Sequence, residues 1–270
     1  MAISLFVSVL AGLLLCFQPC CAQSLDQQHR MGGAAVPFEF RDAVLGDLDD
    51  FTTVIIDAFR PAPEWHYVYQ FTDEYPGYTW HCQRQAWGRL FEQSPANGIT
   101  IRVIAVPDTT SRAGSRVVSV SVWQFNRTTS SDNHAQTLLL PLEIAGGDWS
   151  NCSEHLDLNK TRTAPWQKLH QEAEKEYLDD VYDHQAYLAG LATHPKWDGN
   201  GFAATHLRWG LALADKWGIP ATLTGTPAGH PLYRSLGFED VHNITIERLD
   251  QKGVLWHEVM ARPTKTPTDR

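Results

Sequence analysis

Gly199 and Gly201 sit two apart in the run Thr193-His-Pro-Lys-Trp-Asp198-Gly-Asn200-Gly-Phe202-Ala203. Apolar residues precede the run and a helix-like period follows it, so it reads as a turn from a strand into a helix. Such a turn can hold an anion. The first N–H groups of a helix lack internal acceptors, and the positive end of the helix dipole adds to their pull. Glycine has no Cβ, so backbone can approach a pyrophosphate closely, and Ala203 is small enough to preserve that approach. Asp198 is discordant, because a carboxylate beside a pyrophosphate repels it. Gly-Asn-Gly taken alone is more often simply an ordinary turn.

Other chemistries find less support. The chain has 12 histidines, but no His-Glu-x-x-His or Cys-x-x-Cys spacing occurs, so no metal site is expected. There is no Gly-x-Ser-x-Gly nucleophile turn. Asn126, Asn151, Asn159 and Asn243 each begin an Asn-x-Ser/Thr acceptor for glycosylation. Cys16, Cys20 and Cys21 fall in the leader, leaving Cys82 and Cys152, which fit one disulfide or two free thiols equally.

The elements that must position the glycine loop follow from periodicity. Residues 184–193 read as a largely buried strand and 204–217 as a helix, with Leu207, Leu211 and Ala214 on one face. A short strand (221–225), a short helix (231–236) and two further strands (238–249 and 254–261) come after. Upstream, a strand is expected over 38–43. Asp47 would cap a helix to about residue 59, whose Leu48, Phe51, Val54, Ile55, Ala58 and Phe59 share a face. A second helix is expected between residues 76 and 93, then strands over 100–106 and 116–125. Val117-Val-Ser-Val-Ser-Val-Trp123 is the clearest period-2 segment. Residues 127–164 read as a polar surface insertion, and 165–180 as a charged amphipathic helix. Strand, turn, helix and strand in this order imply a mixed sheet with helices on its faces.

The chain of 270 residues is long enough for one sizeable domain and short for two. Its net charge of −9 and lack of any Lys/Arg run argue against a nucleic-acid partner. The acidic balance fits a cationic or neutral substrate such as an amine, and plain solubility as well. Ten tryptophans are read first as core and second as an aromatic-lined cleft. Residues 3–17 are apolar but short of the roughly 20 that span a membrane. With Pro19 and the small residues before Ala22, residues 1–22 read as a signal peptide and the chain as secretory. Because no Lys or Arg precedes the apolar run, an uncleaved anchor is the alternative, and only then is a membrane a partner. A start at Met31 would leave the protein cytoplasmic. Residues 23–36 read as a linker, 37–262 as the domain and 263–270 as a loose tail.

Four segments, in order, resemble the successive motifs of the GNAT acetyltransferases, most closely those of fungi. They are Tyr187-Leu-Ala-Gly-Leu-Ala-Thr-His-Pro195, Asp198-Gly-Asn-Gly-Phe-Ala203, Trp209-Gly-Leu-Ala-Leu-Ala-Asp215 and Leu232-Tyr-Arg-Ser-Leu-Gly-Phe238. The resemblance is strong over 187–239, weaker over 36–125, and absent from the leader and the insertion. It implies an α/β (α+β) acyl-CoA N-acyltransferase fold, with a mixed, mostly antiparallel sheet flanked by helices. It also implies acetyl-CoA as acyl donor and an amine of a small molecule or peptide as acceptor, as in secondary metabolism.

The same resemblance assigns roles. Leu191, Ala192 and Thr193 would pair their backbone with the pantetheine arm like an added strand. Asp198, Gly199, Asn200, Gly201, Phe202 and Ala203 would form the pyrophosphate loop. Tyr233 would protonate the departing thiolate, or else be a buried helix tyrosine packed beside Phe238. Two departures stand out. Asp198 replaces the family's usual Gln or Arg. The strand positions that often carry a base hold Tyr187 and Ala189, which leaves Asp183 and His184 as candidates acting through a water. His194 matches a histidine frequent in fungal members and reads as structural; His206 flanks the loop on its other side. A GNAT-fold binding protein without catalysis is the alternative these departures suggest.

Overall fold

The computed structural model describes residues 36–94, 98–127 and 151–264. The expected leader, residues 23–35 of the linker, residues 128–150 of the insertion, the tail from residue 265 and the side chain of Asn126 lie outside them.

Seven strands form one sheet: β1 (Glu39–Asp42), β2 (Ile99–Pro107), β3 (Ser115–Arg127), β4 (Gln185–Thr193), β5 (Ala221–Gly225), β6 (Glu239–Glu247) and β7 (Val254–Arg262). Their order is β1-β2-β3-β4-β5-β7-β6. Every neighbouring pair is antiparallel except β4 and β5, which run parallel. A parallel pair needs a crossover, and the helix α5 (Phe202–Trp217) supplies it. The mixed, mostly antiparallel sheet is therefore the expected one.

Alternation along the strands divides the core. Ile99, Ile101 and Val103 of β2, with Val117, Val120 and Val122 of β3, face α1 (Leu48–Phe59) and α3 (Tyr78–Gln93), where Phe51, Val54 and Ile55 are buried. Ile104, Val106 and Val118 turn to the other face and meet Phe202. There Leu207, Leu211 and Ala214 of α5 pack on Trp123, Leu188 and Leu223. Trp123 lies so close to α5 that a Cβ on Gly210 would stand 2.2 Å from its ring. Overpacking of this kind costs about 1–3 kcal/mol, with the upper end expected where neither partner can retreat. Gly210→Ala should lower the melting temperature by roughly 6–12 °C; a drop below 2 °C in differential scanning calorimetry would show that the ring moves aside.

Two expectations change. The helix expected from residue 165 begins earlier, as α4 (Lys160–Glu174), and Pro165 lies inside it. Asn159 is its N-cap, accepting a hydrogen bond from the Arg162 N–H. That local cap outweighs the preference of proline for the first turn. A π-helical turn, Lys175–Asp179, ends it. The second change concerns the insertion, whose last part is not a surface loop. Cys152, Asp157 and Leu158 are buried, and the Thr79 hydroxyl donates to Asp157 Oδ2 at 2.6 Å. Cys82 and Cys152 form a disulfide with 5.4 Å between their Cα atoms, which settles the alternative left open by the sequence. A bond across a separation of 70 residues removes about 4 kcal/mol of loop entropy from the unfolded chain. A short helix, α2 (Pro63–Val68), follows α1; the sequence marked only a stop there.

Candidate active site

The parallel β4–β5 pair is short. Ala186, Tyr187 and Leu188 pair with Ala221, Thr222 and Leu223, and pairing then ends. On its other side β4 stays with β3 as far as Thr193. Among the described residues no strand lies beside Gly190–Thr193 on this edge, and Leu191, Ala192 and Thr193 lie on it. Ala189 is the extra residue of a β-bulge, because Val122 pairs with Gly190 and Trp123 with Leu188. Bulges re-aim backbone and often stand next to active sites.

The glycine loop follows directly. Gly199 (φ 78°) and Gly201 (φ 75°) both adopt left-handed backbone, which is why glycine is needed there. Gly201 is the N-cap of α5, with no side-chain hydrogen bond to it. The first helical bond recorded at this end runs from Thr205 N–H to the Gly201 carbonyl, so the amides just before Thr205 remain available to an outside acceptor. The Asn200 side chain donates to the Trp197 carbonyl at 2.9 Å and braces the loop from within. Phe202 is buried against Phe38, and Asp198 is exposed. A Cβ built on Gly199 meets nothing within 4 Å. The space above the loop is open, and the residues fit a pyrophosphate.

A cleft of about 90 Å³ opens where β4 and β5 part. Tyr187, Leu188, Gly190 and Leu191 form its floor, with Leu223, Thr224, Thr226 and Tyr233 on the β5 side. Phe59, Glu64, Trp65 and Tyr69 close it from the α1–α2 side. Among the described lining residues Glu64 is the one carboxylate, and there is no lysine or arginine. Burial raises the carboxyl of Glu64 above its ordinary value, opposed by a backbone hydrogen bond and by Arg248.

Tyr233 comes from α6 (His230–Ser235). Its ring packs edge-on to Phe238 at 6.0 Å and against two glycines. A Cβ on Gly229 would lie 2.7 Å from the ring and one on Gly225 3.0 Å. Tyr233 thus packs beside Phe238, as the second reading expects, and it also lines the cleft. Burial pushes its phenol up to about 12, so the hydroxyl keeps its proton.

Asp183 and His184 lie elsewhere. Both are exposed ahead of the first residue of β4, and at ~3.3 Å per strand residue His184 stands about 23 Å from Leu191. The structure does not bring them to the cleft. His194 acts structurally: its Nδ1 accepts from the Lys196 N–H at 3.2 Å and its Nε2 lies 3.3 Å from Asp57 of α1. His206 is buried, with Nδ1 2.8 Å from Ser121 Oγ, and burial lowers it to about 3. The unfolded chain binds this proton near pH 6.5, the folded protein only near 3. Stability is therefore complete above about 6.5 and falls with pH, by about 2 kcal/mol at pH 5. Urea unfolding at pH 7 and 5 should show the loss, and His206→Gln should remove that share of it.

Polar residues that periodicity did not mark line the same cleft or stand behind it. Tyr187 donates to Glu174 Oε1 at 2.8 Å, as does Thr224 at 3.0 Å. Behind the cleft, His170 Nδ1 lies 2.8 Å from the Trp166 carbonyl, and His170 Nε2 lies 2.8 Å from Nδ1 of His257, a cleft-lining residue. Burial lowers both histidines. No local signal could have found them, because His170 and His257 are 87 residues apart in sequence.

The glycosylation candidates are placed variously. The Asn151 carbonyl accepts from the Tyr78 hydroxyl. Asn159 caps α4 while its amide donates to Gln70 at 2.6 Å. Asn243 is exposed on the edge strand β6, its amide donating to Glu258.

No family model matches the sequence, and no curated protein does. Solved structures do match. One is a histone acetyltransferase HPA2 and related acetyltransferase from Corynebacterium glutamicum ATCC 13032, with TM-score 0.50 and 19% identity over 85% of this chain and 97% of that one. Another is a GNAT superfamily phosphinothricin acetyltransferase from Sinorhizobium meliloti in complex with AcCoA, with TM-score 0.49 and 14% identity over 86% and 91%. A third is the PaiA N-acetyltransferase of Thermoplasma acidophilum in complex with coenzyme A, with TM-score 0.45 and 13% identity over 84% and 98%. With its sheet order, its parted β4–β5 pair and its likeness to the Corynebacterium acetyltransferase, this chain has the fold of the GNAT acetyltransferases.

Proposed function

We propose that the protein transfers an acetyl group from acetyl-CoA to an amine of a small molecule or peptide. One observation carries this reading. The unpaired edge of β4 begins at a cleft lined by Leu191 and Tyr233 and leads along the strand to the glycine loop, whose first helical amides are open. Leu191, Ala192 and Thr193 would hold the pantetheine arm by backbone hydrogen bonds, and Gly199–Ala203 the pyrophosphate. Acetyl-CoA supplies the reactive thioester; the protein supplies position, and Tyr233 a proton for the leaving sulfur. The buried carboxyl of Glu64, the one carboxylate among the described lining residues, favours an acceptor that arrives positively charged, although Arg248 already offsets part of its charge.

Entry into the secretory pathway belongs to the same proposal. The Cys82–Cys152 disulfide supports it, since such bonds persist in oxidising compartments, and so do the four glycosylation acceptors.

Calorimetric titration of acetyl-CoA into the full-length protein tests the reading. Micromolar binding is expected, with stabilisation of about 2.7 kcal/mol at a hundredfold excess over the dissociation constant. Absence of binding at millimolar acetyl-CoA would overturn it.

A further inference from the structure

His257 lines the cleft from β7 and is buried, with 6% of its surface exposed. Its ring nitrogens have different surroundings. Nδ1 lies 2.8 Å from His170 Nε2, whereas Nε2 is buried with no hydrogen-bond partner among the described residues. Most buried polar atoms are paired, so an orphan of this kind invites a reason.

The hydrogen bonds behind the ring fix where its proton sits. A carbonyl oxygen only accepts, so His170 Nδ1 carries a hydrogen and donates to the Trp166 carbonyl. Burial keeps His170 neutral, which leaves its Nε2 as an acceptor. His257 Nδ1–H must then be the donor to it. The remaining nitrogen, His257 Nε2, is left with a lone pair and no proton. A backbone carbonyl of α4 thus sets, through two rings, the tautomer of a cleft residue.

We propose that His257 is the general base of the acetyl transfer, with His170 as the positioning residue that holds its Nε2 unprotonated. This rests on the acetyl-transfer reading above. An acceptor that arrives as an ammonium ion first loses one proton to solvent, which frees its lone pair. As the neutral nitrogen then forms its bond to the carbonyl carbon, its remaining N–H becomes acidic, and that proton passes to His257 Nε2. The carbon–sulfur bond breaks, and the sulfur takes the proton of Tyr233. Once the products have left and water enters the cleft, that water takes the proton from His257, and Tyr233 recovers one from it. The sum is amine plus thioester giving amide plus thiol.

The test uses the full-length protein, acetyl-CoA and a panel of primary amines beginning with 2-phenylethylamine, chosen for the aromatic walls of the cleft. His257→Gln should lower kcat by at least about a hundredfold, with the dissociation constant for acetyl-CoA within twofold of the original. A kcat within threefold in a variant that still binds acetyl-CoA would overturn the proposal and leave the acetyl-transfer reading standing. An unmutated protein that acetylates none of the amines would bring down both. Nitrogen-15 NMR of the histidine-labelled, unmutated protein gives a readout independent of how the variant folds. An unprotonated Nε2 on His257 is expected, and a proton there would overturn the proposal. His170→Gln, whose carbonyl oxygen can still accept from His257 Nδ1–H, should keep that signature and most of the rate. His170→Leu should lose both.

Discussion

Tyr233→Phe is expected to lower kcat by about a hundredfold while acetyl-CoA binds within twofold as tightly. The ring is clasped by Gly225, Gly229 and Phe238, and phenylalanine fills the same space, so the fold should not change. Only the hydroxyl is lost. In the unmutated protein, burial keeps that hydroxyl protonated up to about pH 12, so a proton is always present when a thiolate leaves. Without it, the sulfur must depart as an anion inside a largely apolar cleft, which is costly. Pre-steady-state thiol release together with calorimetric titration would separate the two effects. A kcat within threefold would assign the proton to water and remove Tyr233 from the chemistry.

Ala203→Glu should raise the dissociation constant for acetyl-CoA by at least tenfold, about 1.4 kcal/mol, without destabilising the protein. Ala203 is the second residue of α5. A carboxylate in the first turn of a helix is favourable by about 0.3–1 kcal/mol, so the melting temperature should hold or rise slightly. The same carboxylate competes with the pyrophosphate for the open amides and repels it. Opposite signs for stability and binding distinguish an anion site from a helix end that merely faces solvent. The companion variant Asp198→Gln restores the family's usual type. It should tighten binding by a few-fold only, because Asp198 is exposed and its charge is screened. An unchanged affinity in Ala203→Glu would place the pyrophosphate elsewhere.

Glu64 and His257 illustrate how the cleft differs from the loop as a problem in reading. The loop is local: a strand, two glycines at left-handed backbone and a helix start lie within a dozen residues, and each leaves its own signature in composition. Even the role of Asn200, bracing the turn through the Trp197 carbonyl, is within reach of turn chemistry. The cleft is assembled from α1, α2, α3, β4, β5, α6 and β7. Asp183 and His184 lie just before the strand positions where GNAT acetyltransferases often carry a base, yet they precede β4 and do not line the cleft.

Misreadings at the insertion have the same origin. Residues 151–159 are polar in composition, and polarity predicts exposure. Asp157 is nonetheless buried, because Thr79, far away in sequence, satisfies it, and Cys152 is buried because it is bonded to Cys82. The early start of α4 is different: the Asn159 cap was present in the sequence, and the proline at 165 masked it.

By itself the sequence determined the strands, most helices, the mixed sheet and the glycine loop. Those follow from interactions between residues a few positions apart, where periodicity and backbone preference dominate. Only the tertiary structure decided that β4 and β5 part after Leu188, that Cys82 meets Cys152, and that a chain of two histidines from α4 to β7 leaves one nitrogen of a cleft-lining residue without a partner among the described residues. Those outcomes depend on burial and on partners tens of residues distant, and neither is encoded in any short stretch of chain.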